Sequence, residues 1–343
     1  MKELKELKEI NPKYPILMGC LPLTAMTVLI PMATTKLGVT AIGTTALFSV
    51  FSLALLVFRF FIGKSADRIG WAPLFMISFF VYSTSYSLFI LTPRSMVYMY
   101  LAQIVRGLAT VLLSISTLSM ISEMESGKRA SQLGLINSYK EKSGLIGVLI
   151  CFILLSNCDF SLGWSILFKA ATIGSTLAAL YMIKKIPPLG GNVCKTSKIY
   201  DAKIFEKNKF LLIVNLFIGM GISMVSAVFV LYIADKFNSP LAQIGAAFFV
   251  PAIIVAFVSP YLGKFSDKLG PIFACVAGTV IASMSLLFLT HTKNLLSFAV
   301  IWTIYALGAA LIYISLTAVF MENNQEARGE ALGIFTSFGV MGE

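Results

Sequence analysis

The chain has 343 residues, 57% of them hydrophobic and only 13% charged, with a mean hydropathy of +0.86. A soluble domain is typically about a quarter charged, so this composition excludes an ordinary water-soluble enzyme and points to lipid as the solvent. The net charge of +11, from 27 Lys and Arg against 16 Asp and Glu, suits the cytoplasmic loops of a membrane protein and implies no nucleic acid.

Residues 1–14 open with "MKELKELKEINPK". Charge continues to Lys13 with no apolar core, which excludes a signal peptide. Leu4, Leu7 and Ile10 recur at helical spacing and predict a short amphipathic helix on the cytoplasmic face. Windows of about 20 apolar residues then predict membrane helices. They fall near 15–35, 40–62, 73–92, 95–121, 132–155 and 161–183, and, beyond a polar stretch, near 210–233, 240–262, 271–290 and 295–320. An eleventh starts near Arg328 and runs to the end of the sequence. Period-two patterning is absent, so the expectation is an all-α bundle, because in lipid only helices or closed barrels satisfy their backbone. With the N-terminus inside, 18 Lys and Arg fall in inside segments and 4 in outside segments. That bias predicts a cytoplasmic N-terminus.

Between the second and third spans lies "GKSADRIG" (63–70), and between the eighth and ninth "GKFSDKLG" (263–270). The offset is 200, and Lys36 meets Lys236 at the same spacing. "RASQLGLINS" (129–138) and "RGEALGIFTS" (328–337) match at an offset of 199. Such register across several helices indicates a duplicated bundle: residues 15–183, a cytoplasmic linker at 184–209, and a second half from 210 to 343. Gly63 and Gly70 read as the residues of a tight turn between helix ends.

On these residues the chain resembles the major facilitator superfamily of secondary transporters. That family has two pseudo-symmetric six-helix bundles and carries G-x-x-x-D-R-x-G-R-R/K between its second and third helices. The matching positions are Gly63, Asp67, Arg68 and Gly70, repeated as Gly263, Asp267, Lys268 and Gly270. The trailing basic pair is replaced by Trp71, Ala72 and Pro73. The resemblance implies twelve helices, of which about 10–11 are present here, with the last cut within helix 11. It also implies a multi-pass protein of the plasma membrane, of prokaryotic, drug-efflux-like type, acting as a monomer on a small-molecule solute with protons as partners. By position, Asp67 would meet the start of helix 11 near Arg328, and Asp267 the start of helix 5 near Arg129. A carboxylate there gains about 0.3–1 kcal/mol from the helix dipole. It would do so only while that side of the transporter is shut.

Five cations lie within predicted spans: Arg59, Arg106, Lys140, Lys142 and Lys169. Each costs roughly 2.5–3.5 kcal/mol at the bilayer centre unless it faces a cavity or a partner. Arg59, one turn before Gly63, reads as snorkelling to the interface. Arg106, near the middle of the fourth span, cannot reach either surface and is expected to face a cavity. Lys140, Glu141 and Lys142 are successive, about 100° apart, and cannot share one face. Glu141 is the sole carboxylate deep in a span, which makes it either a proton carrier or half of a structural ion pair. Lys169 reads equally as a packing or snorkelling residue and as a solute contact. The local excess of positive charge favours an anionic or zwitterionic solute.

The function that follows is secondary active transport of a small organic solute by alternating access, as proton-coupled efflux. The alternatives are proton-coupled uptake of an anionic or zwitterionic solute, and a non-transporting solute sensor or relic. No enzyme is expected: the one histidine, His291, falls at a predicted outer loop, and H-E-x-x-H, G-x-S-x-G and P-loop motifs are missing. No C-x-x-C pair is present either, so neither a metal nor a cofactor is expected.

Overall fold

The computed structural model describes residues 11–125, 127–185, 201–237, 241–324 and 328–342. The amphipathic segment expected before Asn11 and most of the central linker (186–200) lie outside these residues. Among the described residues every regular element is helical. The helices are α1 (Lys13–Gly19), α2 (Met26–Lys36), α3 (Ala41–Ile69), α4 (Trp71–Ile90), α5 (Met96–Ser122), α6 (Arg129–Asn157) and α7 (Phe160–Lys185). The remainder are α8 (Asp201–Phe237), α9 (Leu241–Leu269), α10 (Pro271–Leu289), α11 (Leu295–Asn323) and α12 (Arg328–Gly342). Among the described residues, seven helical segments are long and apolar enough to cross a membrane: α3 from Ile42 onward, α4, α5, α7, α10, α11 and the Phe249–Leu269 part of α9.

The helices outrun the apolar windows for a physical reason. The 29 residues of α3, at about 1.5 Å rise each, reach roughly 44 Å, well beyond a ~30 Å hydrocarbon core. The extra turns carry the octapeptide. Gly63 and Gly263 are therefore helical, and Gly63 is not the turn residue it was expected to be. The reversal falls on Gly70 (φ 89°) and Gly270 (φ 94°), each a one-residue link into the next helix. That left-handed conformation strains any residue with a Cβ.

Contacts divide the chain into two compact units. The first takes Met1–Met120, Ser143–Lys198 and Leu332–Ser337. The second takes Ile121–Lys142, Ile199–Ala331 and Phe338–Glu343. In the first unit, α4 and α7 pack through rings at helical spacing. Phe75, Phe79, Tyr82, Tyr86 and Phe89 are fully buried, as is Phe168. Phe89 stacks on Phe168 at 5.0 Å between centroids, and the indole N–H of Trp164 donates to the Phe89 carbonyl at 2.7 Å. The second unit builds its contacts from α11 packed on α9 and α10. Gly278 and Gly308 let α10 and α11 approach backbone to backbone, a Cβ on either lying about 3 Å from the other's carbonyl oxygen.

The first predicted span is interrupted. Residues 20–25 leave the helix between α1 and α2. Pro22 has no N–H for the carbonyl of Met18, and its ring clashes with that carbonyl. Leu23 N turns back to the Cys20 carbonyl at 3.2 Å. Two carbonyls beside the break are taken by side chains. Ser143 donates to Leu17 O at 3.0 Å, and Tyr86 and Ser175 donate to Gly19 O at 3.2 and 3.3 Å. Gly147 lies so close that a Cβ would sit 1.6 Å from Leu21 O.

Gly147→Ala is therefore expected to destabilise the fold by about 1–3 kcal/mol through overpacking against backbone. Gly221→Ala, with nothing within 4 Å of its Cβ position, should be neutral or stabilising by up to about 1 kcal/mol. Thermal unfolding in detergent distinguishes them, and equal midpoints for the two variants would contradict the account.

Candidate functional site

The end of α9 is built to touch the start of α6. A Cβ on Gly263 would lie 2.3 Å from Ala130 O, and one on Gly134 would lie 2.3 Å from Ser259 O. Only glycine permits that approach, and it brings Asp267 one turn further on to the first turn of α6. Its carboxylate accepts from the backbone amides of Ala130 (3.0 Å) and Ser131 (2.8 Å). Both are orphan donors at a helix N-terminus, so the contact combines charge-assisted hydrogen bonds with the helix dipole. Arg129, 4% exposed, donates to the carbonyls of Met124 (3.2 Å) and Met321 (3.1 Å), which ties the start of α6 to the end of α11. Lys268 is exposed.

The same packing recurs on α3 and α12. A Cβ on Gly333 would lie 2.9 Å from Arg59 O and 3.4 Å from the Cα of Gly63. Gly333 corresponds to Gly134, and Arg59 and Gly63 to Ser259 and Gly263, at the spacings of the sequence repeat. The octapeptides share one burial pattern: the first glycine and the fourth residue buried, Asp67 and Asp267 half-buried, Arg68 and Lys268 exposed. The side chain of Arg328 lies outside the described residues.

The two copies differ in chemistry. Arg59, 8% exposed, does not snorkel; its Nη1 donates to the carbonyl of Thr336. At the equivalent place Asn137 Nδ2 donates to Ser259 Oγ at 3.3 Å. Burial beneath α12 explains why Arg59 finds a carbonyl rather than water.

A second polar site lies within the first unit. A Cβ on Gly107 would lie 2.7 Å from Cβ of Ala54, so α5 sits hard against α3 and places Arg106 on Phe51. The guanidinium carbon is 4.0 Å from the ring centroid, and the residue is 5% exposed. Among the described residues its Nε has no acceptor. Gln103, one turn earlier, donates to Leu47 O at 3.3 Å while its Oε1 has no donor. Tyr82 and Tyr86 lie within electrostatic reach of the guanidinium. Tyr82 OH bonds Thr110 Oγ1 at 3.0 Å, and Thr110 in turn bonds the Arg106 carbonyl at 2.8 Å.

The three successive ions of α6 part company. Lys142 stands over the ring of Phe257 at 4.5 Å. Glu141 and Lys140 are half-buried. Lys169 lies elsewhere, exposed on the stripe of α7 that also carries Leu162, Ile166, Ile173, Leu177 and Leu180. This is the face opposite the buried Trp164, Phe168, Ala171 and Ser175. An exposed apolar stripe of this kind suits contact with lipid, from which a lysine can snorkel; Lys169 makes no contact with Arg106 among those the structure describes. Among the described residues no three His, Cys, Asp or Glu side chains gather in a way that would hold a metal.

Sequence reasoning missed Phe51, Thr336 and the glycines at 134 and 333. The last two stood in the matched segments as the shared "LG". The others carried no signal, because only the fold sets them beside a charge.

Asp267→Asn should weaken the contact with α6 by about 1–2 kcal/mol, a five- to thirtyfold shift in population. The readout is labelling of Ser138→Cys, in a background free of native cysteines, by an impermeant maleimide. Ser138 is fully buried and bonds the Ala256 carbonyl of α9. Labelling should rise, and an unchanged rate would remove Asp267 from this role.

A family model described as Major Facilitator Superfamily matches residues 16–342. An uncharacterised MFS-type transporter of Methanocaldococcus jannaschii is 26% identical over 152 residues, 43% of this chain. The match spans only 38% of that relative's length. Among solved structures, the fucose:proton symporter FucP of E. coli superposes with a TM-score of 0.79 at 10% identity. It covers all of this chain and 89% of its own. The human organic anion transporter MFSD10 does so with a TM-score of 0.70 at 15% identity, over 96% of this chain and 88% of its own. At these identities the likeness is one of fold. With nearly its whole length matched by the family model, an all-helical fold and a glycine-and-aspartate octapeptide built twice, the chain belongs to the Major Facilitator Superfamily, a family of secondary transporters that span the membrane many times.

Proposed function

We propose that the protein moves a small organic solute across the plasma membrane by alternating access, coupled to protons. The observation that carries the reading is the Asp267 carboxylate on the backbone amides of Ala130 and Ser131 in the first turn of α6. It joins the second half of the sequence to the first through a contact that has to break when the helices part. With the N-terminus in the cytoplasm, on the 18-to-4 bias of Lys and Arg, this is a cytoplasmic latch. A state bound by such contacts is favoured by roughly their energy, and a solute shifts it by binding the other state better. Asp67 is assigned the equivalent task at the first turn of α12, with Arg59 reinforcing it through Thr336.

Glu141 is the proposed proton carrier. Lys142 stands over Phe257, and Lys140 is the cation within electrostatic reach of the carboxylate. Among the described residues no salt bridge to Glu141 forms, which favours the carrier role, while the nearby Lys140 keeps the ion pair as the alternative. Lys169 is left out of the pathway because it lies on the lipid-facing stripe.

Glu141→Gln is expected to abolish flux driven by a pH gradient in proteoliposomes and to leave solute binding within about threefold. Retained pH-driven flux would remove Glu141 from the mechanism. The same assay sets direction: exchange with protons, as efflux requires, drives solute against the proton flow, whereas symport carries both together.

A further inference from the structure

Asp267 and its acceptor amides on α6 are both tied to α11. Ser266, the residue before the aspartate, shares a hydrogen bond with Ser315 of α11 at 3.0 Å, and both residues are fully buried. Arg129, the residue before the two amides, donates to Met321 O near the end of α11 at 3.1 Å. Three successive residues of α6 thus land on two helices: a guanidinium on a carbonyl, then two amides on a carboxylate. That landing needs the end of α11 held in register with Asp267. The last carbonyls of a helix have no helical amide to accept from. α11 has no basic residue in its own last turn, so the cations at its carbonyl end come from other helices. Arg129 is one, and Lys207 of α8, whose Nζ donates to Asn323 O, is another. Beside Lys207, Asn208 is 2% exposed, and Asn324, the residue that ends α11, is 7% exposed. Their side-chain amides exchange two hydrogen bonds: Asn208 Nδ2 to Asn324 Oδ1 at 2.8 Å, and Asn324 Nδ2 to Asn208 Oδ1 at 3.1 Å. Asn324 Nδ2 also donates to Phe320 O at 2.8 Å, so both hydrogens of that amide are used. Capping α11 needs only the bond to Phe320. The reciprocal pair does more, because it fixes position and orientation together in a place where water cannot substitute for a lost partner.

We propose that Asn208 and Asn324 are positioning residues of the Asp267 latch: by clamping the end of α11 to α8 they hold the Met321 carbonyl where Arg129 lands, and so bring the amides of Ala130 and Ser131 onto the aspartate. The pair joins α8 to α11, both in the second half of the sequence, whereas the latch joins that half to α6. The pair therefore persists when the latch opens and keeps the landing surface assembled for its return. Lys207, exposed beside the pair, adds a smaller share. This rests on the latch reading and names what sets the latch's strength.

The test reads maleimide labelling of Ser138→Cys in the full-length protein free of native cysteines, with each substitution made alone and again together with Asp267→Asn. Asn208→Leu and Asn324→Leu, which lack the amide, should each raise labelling about three- to tenfold. The double variant should rise no further than the stronger single one, because the pair is lost only once. With Asp267→Asn already present, Asn208→Leu should change labelling less than about twofold, whereas a merely structural role would raise it equally in both backgrounds. Labelling at the parent rate in Asn208→Leu, multiplied effects in the double variant, or an equal rise in both backgrounds overturns the inference. If the leucine variants do not fold, the exposed Lys207→Gln decides: a rise of about twofold supports the clamp, and the parent rate overturns it. Should Asp267→Asn raise labelling while the other variants do not, the latch stands and the positioning role falls. Should Asp267→Asn leave labelling unchanged, the latch falls and the positioning role with it.

Discussion

Two helices can meet backbone to backbone only where neither carries a side chain, and this constraint organises the octapeptide end of the protein. Gly263 and Gly134 remove the bulk that would hold α9 away from α6. Without that approach Asp267 would not reach the free amides of Ala130 and Ser131. The aspartate supplies the energy, but the glycines supply the distance. Gly270, at φ 94°, turns the chain into α10 at once and keeps the reversal from intruding on the contact.

The duplicated helix contact shows what a repeat preserves and what it lets drift. Glycines at corresponding positions keep the close approach in both copies, since any larger residue would collide with a carbonyl. The polar groups beside them have diverged. One copy uses a buried guanidinium on a backbone carbonyl, the other an amide on a hydroxyl. A hydrogen bond from a charged donor is worth about 1.5–3 kcal/mol, against about 1 for a neutral pair. The two proposed latches are therefore unequal in strength, with Arg59 on the stronger side.

The interrupted first span and the buried guanidinium follow from one rule of the membrane interior, that polar groups need partners. At Pro22 the helix cannot continue, and Ser143, Tyr86 and Ser175 replace the lost amide donors. Those bonds tie the break to α4, α6 and α7. Around Arg106 the described residues supply a ring but no anion.

From the sequence alone followed the helical membrane architecture, the duplication and its register, and the residues where charge had to be explained. Those are local or additive properties: hydropathy over a span's length, and identity at a fixed offset. The tertiary structure decided where the octapeptide's helix ends, because helix length beyond the apolar window is invisible to hydropathy. It also decided which ions are used and how. Arg59 met a carbonyl, Lys142 a ring and Lys169 the outer stripe of α7, although all three had looked alike as cations in apolar runs. A charge's partner is chosen by the side chain that a distant helix brings within about 3–5 Å, and no spacing along one chain encodes that distance.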